Sequence, residues 1–200
     1  MVSSRLKEKF EAAVASAVKP LGGAGVTPNT VTFAGLLVSV LSAWCFYDWR
    51  QAVLLLPAAG GLLLLSGLLD AVDGVLARTL GKTTKFGGFL DSVSDRYADL
   101  IVVSGIILGG LCDPVVGLAA LIGFVMVSYA RSRAEAVGVA MAGVGIAERA
   151  ERIIVLAAAT FLSMLWLDAL NWGVALLAVL THLTVLQRAL HFRRKTLEDQ

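Results

Sequence analysis

Four aspartates with regular spacing stand out in this sequence. Asp70 and Asp73 lie three residues apart and Asp91 and Asp95 lie four apart, so each pair falls on one face of its own helix. Clustered carboxylate oxygens are the ligands that hard divalent cations prefer. The spacing therefore predicts two acidic helix faces that hold divalent metal.

The surroundings of these aspartates are apolar, so their charges need compensation. Hydrophobic residues make up 58% of the chain and charged residues only 16%, whereas soluble domains carry about 25% charged residues. A carboxylate in a membrane helix costs roughly 2.5 to 3.5 kcal/mol, so four without partners would cost on the order of 10 kcal/mol. Metal would supply the compensation. The alternative is a network of the four acids with Arg78 and Arg96 that binds no metal.

The apolar runs predict an all-α, polytopic membrane protein with six transmembrane helices. Residues 5–18 alternate apolar with charged side chains, which is typical of an amphipathic helix on the membrane surface. The transmembrane spans are predicted at 30–47, 52–77, 88–111, 115–136, 148–167 and 170–190. We interpret residues 1–200 as one membrane domain: a juxtamembrane amphipathic helix in 1–20, a six-helix bundle in 21–190 and a basic, polar tail in 191–200.

The basic residues indicate the orientation. They precede the first span, separate the second from the third, flank the link between the fourth and fifth, and follow the sixth, whereas the opposite loops carry only Arg50. Basic loops stay on the cytoplasmic side, so we expect both termini and the acidic faces to be cytoplasmic, in the cell membrane. Cys45 and Cys112 are expected to be small apolar residues rather than a disulfide.

Arginines at the ends of the last three spans form a second charged group. Arg131 ends the fourth span, Arg152 opens the fifth and Arg188 ends the sixth. Arginines beside a metal site indicate a pocket for a second anion, such as a phosphate on an acceptor alcohol. The alternative is that they follow the positive-inside rule and contact anionic lipid head groups. Arg78 likewise has two interpretations: it binds a phosphate, or it snorkels to the membrane surface at a helix end.

The segment from Asp70 to Asp95 resembles the signature of the CDP-alcohol phosphotransferases. That signature is Asp-x2-Asp-Gly-x2-Ala-Arg followed by Gly-x3-Asp-x3-Asp, and all of its fixed residues are present. The resemblance implies a six-helix membrane fold, a homodimer, and two Mg²⁺ or Mn²⁺ ions per active site. It further implies that the ions are held by Asp70, Asp73, Asp91 and Asp95. Asp95 would also be the general base.

The same resemblance implies the residues that contact the CDP-lipid. The segment Thr27-Pro28-Asn29 is similar to the Thr-Pro-Asn segment that precedes the first span in this family. The full implied set is Thr27, Pro28, Asn29, Asp70, Asp73, Gly74, Ala77, Arg78 and Thr84. We expect membrane lipid around the protein and no nucleic acid as partner.

The acceptor is indicated by three further segments, 131–136, 148–152 and 187–188, which resemble the inositol-phosphate branch of the family. This resemblance implies that Arg131, Arg152 and Arg188 bind the phosphate of inositol 1-phosphate and that CMP leaves. The donor would be CDP-archaeol or CDP-diacylglycerol; Arg131 and Ala150 stand where bacterial members have lysine and proline, which favours CDP-archaeol. Glycerol 3-phosphate and serine are the alternative acceptors.

An ion carrier with an acidic cytoplasmic vestibule is the alternative from a different class of function. A carrier places polar residues near the bilayer midplane. The outer halves of the second, third, fifth and sixth spans are almost wholly apolar. The sequence therefore favours the enzyme.

Overall fold

The computed structural model describes residues 25–52 and 54–198, and every regular element among them is helical. The predicted amphipathic helix in 1–20 lies outside these residues. The described part contains six α-helices and a short 3-10 helix, Trp49–Gln51. The α-helices are α1 Pro28–Tyr47, α2 Leu55–Thr79, α3 Lys85–Leu108, α4 Pro114–Glu135, α5 Arg149–Leu162 and α6 Ala169–Glu198.

Side-chain caps fix where the helices near the aspartates begin. The Thr27 hydroxyl accepts a hydrogen bond from the Thr30 backbone N–H at 3.2 Å, and Pro28 is the first residue of α1. The Thr84 hydroxyl accepts from the Gly87 N–H at 2.9 Å at the start of α3. Both arrangements satisfy backbone donors that a helix start leaves without partners.

Four of the six helices are long and apolar enough to cross a membrane, namely α1, α2, α4 and α6, with mean hydropathy of 1.7 to 1.8. Helix α3 carries Asp91 and Asp95 in its first half and Asp99 just beyond its middle, and α5 has only 14 residues. Fourteen residues of helix span about 21 Å, which is shorter than the roughly 30 Å of a bilayer's hydrocarbon core. Six spans therefore remain a prediction, whereas the all-α class is confirmed.

Two boundaries differ from the sequence prediction by five residues or more. Helix α5 ends at Leu162, although the apolar run continues to Leu167. Helix α6 continues through residues 191–198, which the sequence analysis assigned to the tail. Phe192, in this extension, packs against the cluster of Ala134, Val139 and Met141.

Close packing of α1 against α2 and α3 brings their ends together. A Cβ atom at Gly105 of α3 would clash with the backbone of Ala43 in α1, so only glycine permits this approach. Between α1 and α2, the hydroxyls of Ser39 and Ser66 lie 2.6 Å apart in the interior. These contacts hold the acidic half of α2 and the start of α3 beside the start of α1.

Both cysteines are free and buried, as expected. Cys112 lies in the turn between α3 and α4, where burial raises the pKa of its thiol to about 11, with a smaller contribution from Asp113. The thiol therefore stays protonated at neutral pH and acts as a small apolar side chain.

Candidate active site

The two acidic helix faces meet at one place. Asp70 on α2 and Asp91 and Asp95 on α3 each offer a carboxylate oxygen, and these three atoms all lie within 4.8 Å of one another. We call these three residues the aspartate cluster. Helices α2 and α3 are joined by a short loop, which turns the end of one toward the start of the other.

Asp73 lies beside the cluster and is buried, with 4% of its surface exposed. Its Oδ2 accepts a hydrogen bond of 2.6 Å from the hydroxyl of Thr32 on α1. Asp73 lines a narrow cavity together with Asp70 and Asp95. The structure therefore places all four predicted aspartates together, with one oxygen of Asp73 already bonded to Thr32.

Arg149, in the first turn of α5, is the main counter-ion of the cluster. Its Nη1 lies 2.5 Å from Asp70 Oδ2 and 2.9 Å from Asp95 Oδ1. Arg96 is more distant, with its Nη1 3.9 Å from Asp95 Oδ2. From the sequence, Arg149 is only part of segment 148–152 and is not expected to pair with the aspartates. A signal was present, because an arginine at a helix N-terminus opposes the helix dipole and so needs an acidic partner.

The donor set of the cluster fits a hard divalent cation. It consists of carboxylate oxygens alone, which Mg²⁺ and Mn²⁺ prefer. Asp91 Oδ1 is buried and accepts no hydrogen bond from the described part of the chain. A buried acceptor without a partner is costly, and a cation would satisfy it.

A first cavity, of about 170 Å³, lies between the starts of α1 and α3 and the end of α2. Seven of the nine residues predicted to contact the CDP-lipid line it: Pro28, Asn29, Asp73, Gly74, Ala77, Arg78 and Thr84. Of the other two, Thr27 caps α1 and Asp70 belongs to the cluster. Thr32, Lys82, Thr83 and Gly88, which were not among the predicted contacts, also line this cavity, as do Gly87 and Asp91 of the signature. We call it the donor cavity.

Two glycines keep the donor cavity open. A Cβ atom at Gly87 would lie 3.0 Å from Thr84 Oγ1 and 3.4 Å from Asn29 Oδ1. At Gly74 it would lie 3.4 Å from Arg78 Nη1. Side chains at these positions would therefore press on groups that line the cavity.

A second cavity, of about 260 Å³, contains all three arginines predicted to bind the acceptor, Arg131, Arg152 and Arg188. Asp95, Arg149 and Asp99 also line it. Asp73 and Asp91 line the donor cavity, so the aspartates lie between the two cavities. We call the second one the acceptor cavity.

Two of the three predicted arginines are fixed by the protein. Arg152 is 3% exposed, and its Nη2 lies 2.9 Å from Asp99 Oδ2. Arg188 is 2% exposed and donates from Nη1 to the Val127 carbonyl at 2.5 Å and from Nε to the Val144 carbonyl at 2.9 Å. Arg131 is more exposed and pairs with Glu135 at 2.9 Å. The acceptor cavity thus holds two preorganised guanidinium groups among acidic residues that include Glu148 and Glu151, and Asp99 is a supporting residue that sequence reasoning missed.

Comparison with known proteins agrees with this geometry. The family described as CDP-alcohol phosphatidyltransferase matches residues 25–186. Archaetidylinositol phosphate synthase from Pyrococcus horikoshii is 41% identical over 192 residues, which are 96% of this chain and 97% of that protein.

Two solved structures of Mycobacterium tuberculosis phosphatidylinositol phosphate synthase share the fold, each with a TM-score of 0.78 and 30% sequence identity. One has CDP-DAG bound and is aligned over 90% of this chain and 92% of its own. The other is a complex with manganese and citrate, aligned over 90% of this chain and 88% of its own.

Proposed function

The chain belongs to the CDP-alcohol phosphatidyltransferase family, and on this premise we propose that it transfers the lipid-phosphate group of a CDP-lipid to inositol 1-phosphate and releases CMP. The observation that carries this proposal is the position of the aspartates between two cavities, one lined by the signature residues and the other by three arginines. Relatives named for inositol phosphate lipids support the choice of acceptor.

The donor cavity would bind the CDP group. Arg78 and Lys82 bring positive charge to it, which suits a diphosphate. Gly74 and Gly87 leave room for the ligand to approach the backbone. Because the archaeal relative is named for an archaetidyl lipid, we favour CDP-archaeol over CDP-diacylglycerol as the donor.

Asp70, Asp73, Asp91 and Asp95 would hold two divalent ions, Mg²⁺ or Mn²⁺. When bound, such ions neutralise a diphosphate and stabilise the charge on the leaving CMP. Thr32 would fix the orientation of Asp73, as hydrogen-bonded neighbours of metal ligands commonly do.

Asp95 is our choice of general base. It belongs to the aspartate cluster and also lines the acceptor cavity. Its carboxylate would take the proton of the acceptor hydroxyl as that oxygen forms a bond to the lipid-linked phosphorus. The bond from this phosphorus to the phosphate oxygen of CMP breaks, and CMP departs.

Arg131, Arg152 and Arg188 would bind the acceptor phosphate. Arg152 and Arg188 are already held in place, so binding orders few further side chains. Contacts between guanidinium groups and a phosphate are charge-assisted and directional. Because these arginines recognise the phosphate rather than the inositol ring, glycerol 3-phosphate is the second candidate. Serine carries no phosphate for them to bind.

We propose the following setting for this membrane protein. All six α-helices cross or enter the bilayer, and residues 1–200 form one domain. The basic residues around the site support a cytoplasmic active site in the cell membrane. Large apolar side chains such as Phe89, Tyr97 and Ile122 are exposed on α3 and α4. They would face lipid or the second subunit of a homodimer.

The test is an assay of purified protein with CDP-archaeol, Mg²⁺ or Mn²⁺, and each acceptor in turn. We expect CMP release with inositol 1-phosphate and a product whose mass is that of the phosphoinositol-phosphate lipid. Faster CMP release with glycerol 3-phosphate would make the second candidate the function. No CMP release with any of the three acceptors would reject the proposed enzyme class.

A further inference from the structure

Arg149 makes contacts that compete with metal binding. Its Nη1 lies within 2.9 Å of both Asp70 Oδ2 and Asp95 Oδ1, and these residues are two of the three in the aspartate cluster. A divalent cation that took these oxygens as ligands would place its own positive charge where the guanidinium now lies. Arg149 and such a cation would therefore compete for these oxygens.

The Arg149 side chain can also lie at the wall of the acceptor cavity. Arg149 lines the acceptor cavity together with Arg131, Arg152 and Arg188. Its Nε lies 3.6 Å from Asp99 Oδ1, and the other oxygen of Asp99 pairs with Arg152 at 2.9 Å. Asp99 would thus keep Arg149 at the wall of the acceptor cavity after its contacts with Asp70 and Asp95 are broken.

On the basis of the proposed function, we propose that Arg149 is the internal counter-ion of the aspartate cluster in the metal-free protein and turns toward the acceptor cavity when a divalent cation binds. There it joins Arg131, Arg152 and Arg188 in binding the acceptor phosphate. The position at the start of α5 suits this role, because a bound phosphate near a helix N-terminus is favoured by the helix dipole. Metal would then prepare the acceptor cavity.

A shared side chain couples the two binding events. If metal frees Arg149 for phosphate, metal raises the affinity for phosphate, and phosphate raises the affinity for metal by the same factor. Couplings of this kind are typically about 5- to 150-fold. The metal-free protein would bind its acceptor weakly.

The first test measures Mn²⁺ binding to the purified full-length protein without any CDP-lipid or acceptor, through the electron paramagnetic resonance signal of free Mn²⁺. Arg149→Gln removes the competing charge and should bind Mn²⁺ about fivefold or more tightly than the native protein. Arg149→Lys keeps the charge and should lie between the two. The matched control is Arg133→Gln, an exposed arginine in the last turn of α4 that lines neither cavity. It should bind Mn²⁺ as the native protein does.

Equal or weaker Mn²⁺ binding by Arg149→Gln would overturn the inference. If Arg149→Gln does not fold, phosphate binding by the native protein in the second test decides the question, because no increase in phosphate affinity with Mg²⁺ would contradict the coupling. Folding of each variant is checked by its thermal melting in detergent.

The second test measures inorganic phosphate binding by calorimetry, with and without Mg²⁺. In the native protein Mg²⁺ should raise the phosphate affinity about fivefold or more. In Arg149→Gln it should have little effect. An equal increase in phosphate affinity in both proteins would show that the charge of Mg²⁺ attracts the phosphate directly, without Arg149. That result would overturn the inference. So would no increase in the native protein.

These tests separate the inference from the proposed function. Neither uses a CDP-lipid or an acceptor alcohol. One outcome is that inositol 1-phosphate supports no CMP release while Arg149→Gln still tightens Mn²⁺ binding and Mg²⁺ still raises phosphate affinity in the native protein. In that case the proposed acceptor fails and the role of Arg149 stands. If CMP release occurs but neither of these two binding effects is observed, only the role of Arg149 fails.

Discussion

The hydroxyl of Thr32 donates a hydrogen bond of 2.6 Å to Asp73 Oδ2 and so joins α1 to α2 inside the protein. Thr32 lies one turn after the Thr27-Pro28-Asn29 segment, and Asp73 belongs to the signature. The bond holds one carboxylate oxygen of Asp73 toward α1. It therefore sets the direction in which the other oxygen can serve a metal ion or the donor.

Replacing Thr32 tests this relationship. Thr32→Val removes the hydroxyl at nearly constant volume, and loss of a partner that orients a metal ligand typically costs about 10- to 100-fold in metal affinity. We expect the Mn²⁺ concentration for half-maximal CMP release to rise by that factor. Thr32→Ser restores the hydroxyl and should restore the native requirement. Identical metal requirements for Thr32→Val and the native protein would show that Asp73 needs no such support.

Removal of divalent metal tests the aspartates as a group. Asp70, Asp91 and Asp95 converge with oxygen ligands only, so we expect EDTA to abolish CMP release. Added Mg²⁺ or Mn²⁺ in excess of the chelator should restore it. Full CMP release in EDTA would contradict the metal site and favour a network in which Arg149 and Arg96 compensate the acids.

Replacing Asp95 separates chemistry from donor binding. Asp95→Asn keeps an oxygen near the cluster but removes the proton acceptor, and loss of a general base costs about 10²- to 10⁴-fold in rate. We expect turnover to fall by this factor, whereas CDP-lipid affinity, measured by equilibrium binding, changes little. Asp168→Asn, at an exposed position between α5 and α6, is the control and should keep the native rate. Native turnover by Asp95→Asn would assign the proton to another group.

The helices and the convergence of the aspartates could be predicted from sequence because they depend on local patterns. Apolar runs bounded by glycine and proline predict the spans. A short loop between two acidic helix ends brings those ends together. The end of α5 could not be found in this way, since residues 163–167 are as apolar as the helix before them. The extension of α6 was missed for the opposite reason, because a charged segment can be helical, here with Lys195 and Glu198 paired.

The roles of Arg149 and Thr32 depend on packing between helices that are distant in the sequence. Arg149 reaches Asp70 only because α5 packs against α2. Thr32 reaches Asp73 only because α1 also packs against α2. The sequence could indicate that the acids need counter-charges, and it suggested Arg78 and Arg96. The choice of Arg149 follows from helix contacts that no local pattern contains.

A glycine substitution tests the donor cavity. A Cβ atom at Gly87 would lie 3.0 Å from Thr84 Oγ1, so Gly87→Ala should push Thr84 and Asn29 away from their positions. Overpacking of this kind typically costs about 1 to 3 kcal/mol of stability, and displacement of these two groups should weaken the apparent affinity for the CDP-lipid about tenfold, or about 1.4 kcal/mol. Affinity for inositol 1-phosphate should stay the same.

Gly61→Ala is the control for that substitution, because a Cβ atom there meets nothing within 4 Å. It should leave both apparent affinities unchanged. Both are measured by varying one substrate at a saturating level of the other. If Gly87→Ala weakened the acceptor and the donor equally, the change would reflect general damage to the start of α3.

Arg131 offers the cleanest test of the acceptor cavity. Arg152 and Arg188 are buried and bonded to the protein, so alanine at either position would disturb the fold as well as the ligand; breaking one partner from a buried ion pair costs about 3 to 5 kcal/mol. Arg131 pairs with Glu135 on the surface, and exposed helix pairs contribute about 0.3 to 0.5 kcal/mol. Its replacement should therefore leave stability nearly unchanged.

Arg131→Ala removes a charge-assisted contact to the acceptor phosphate, which contributes about 1.5 to 3 kcal/mol. The apparent affinity for inositol 1-phosphate should fall roughly 10- to 150-fold, and the CDP-lipid, bound in the donor cavity, should be unaffected. Arg133 lies two residues after Arg131 and lines neither cavity. Arg133→Ala removes the same charge from this helix end but should leave both affinities at the native value. If Arg133→Ala weakened inositol 1-phosphate as much as Arg131→Ala, the effect would come from the general positive charge of this end of α4, and Arg131 would have no specific place in the acceptor cavity.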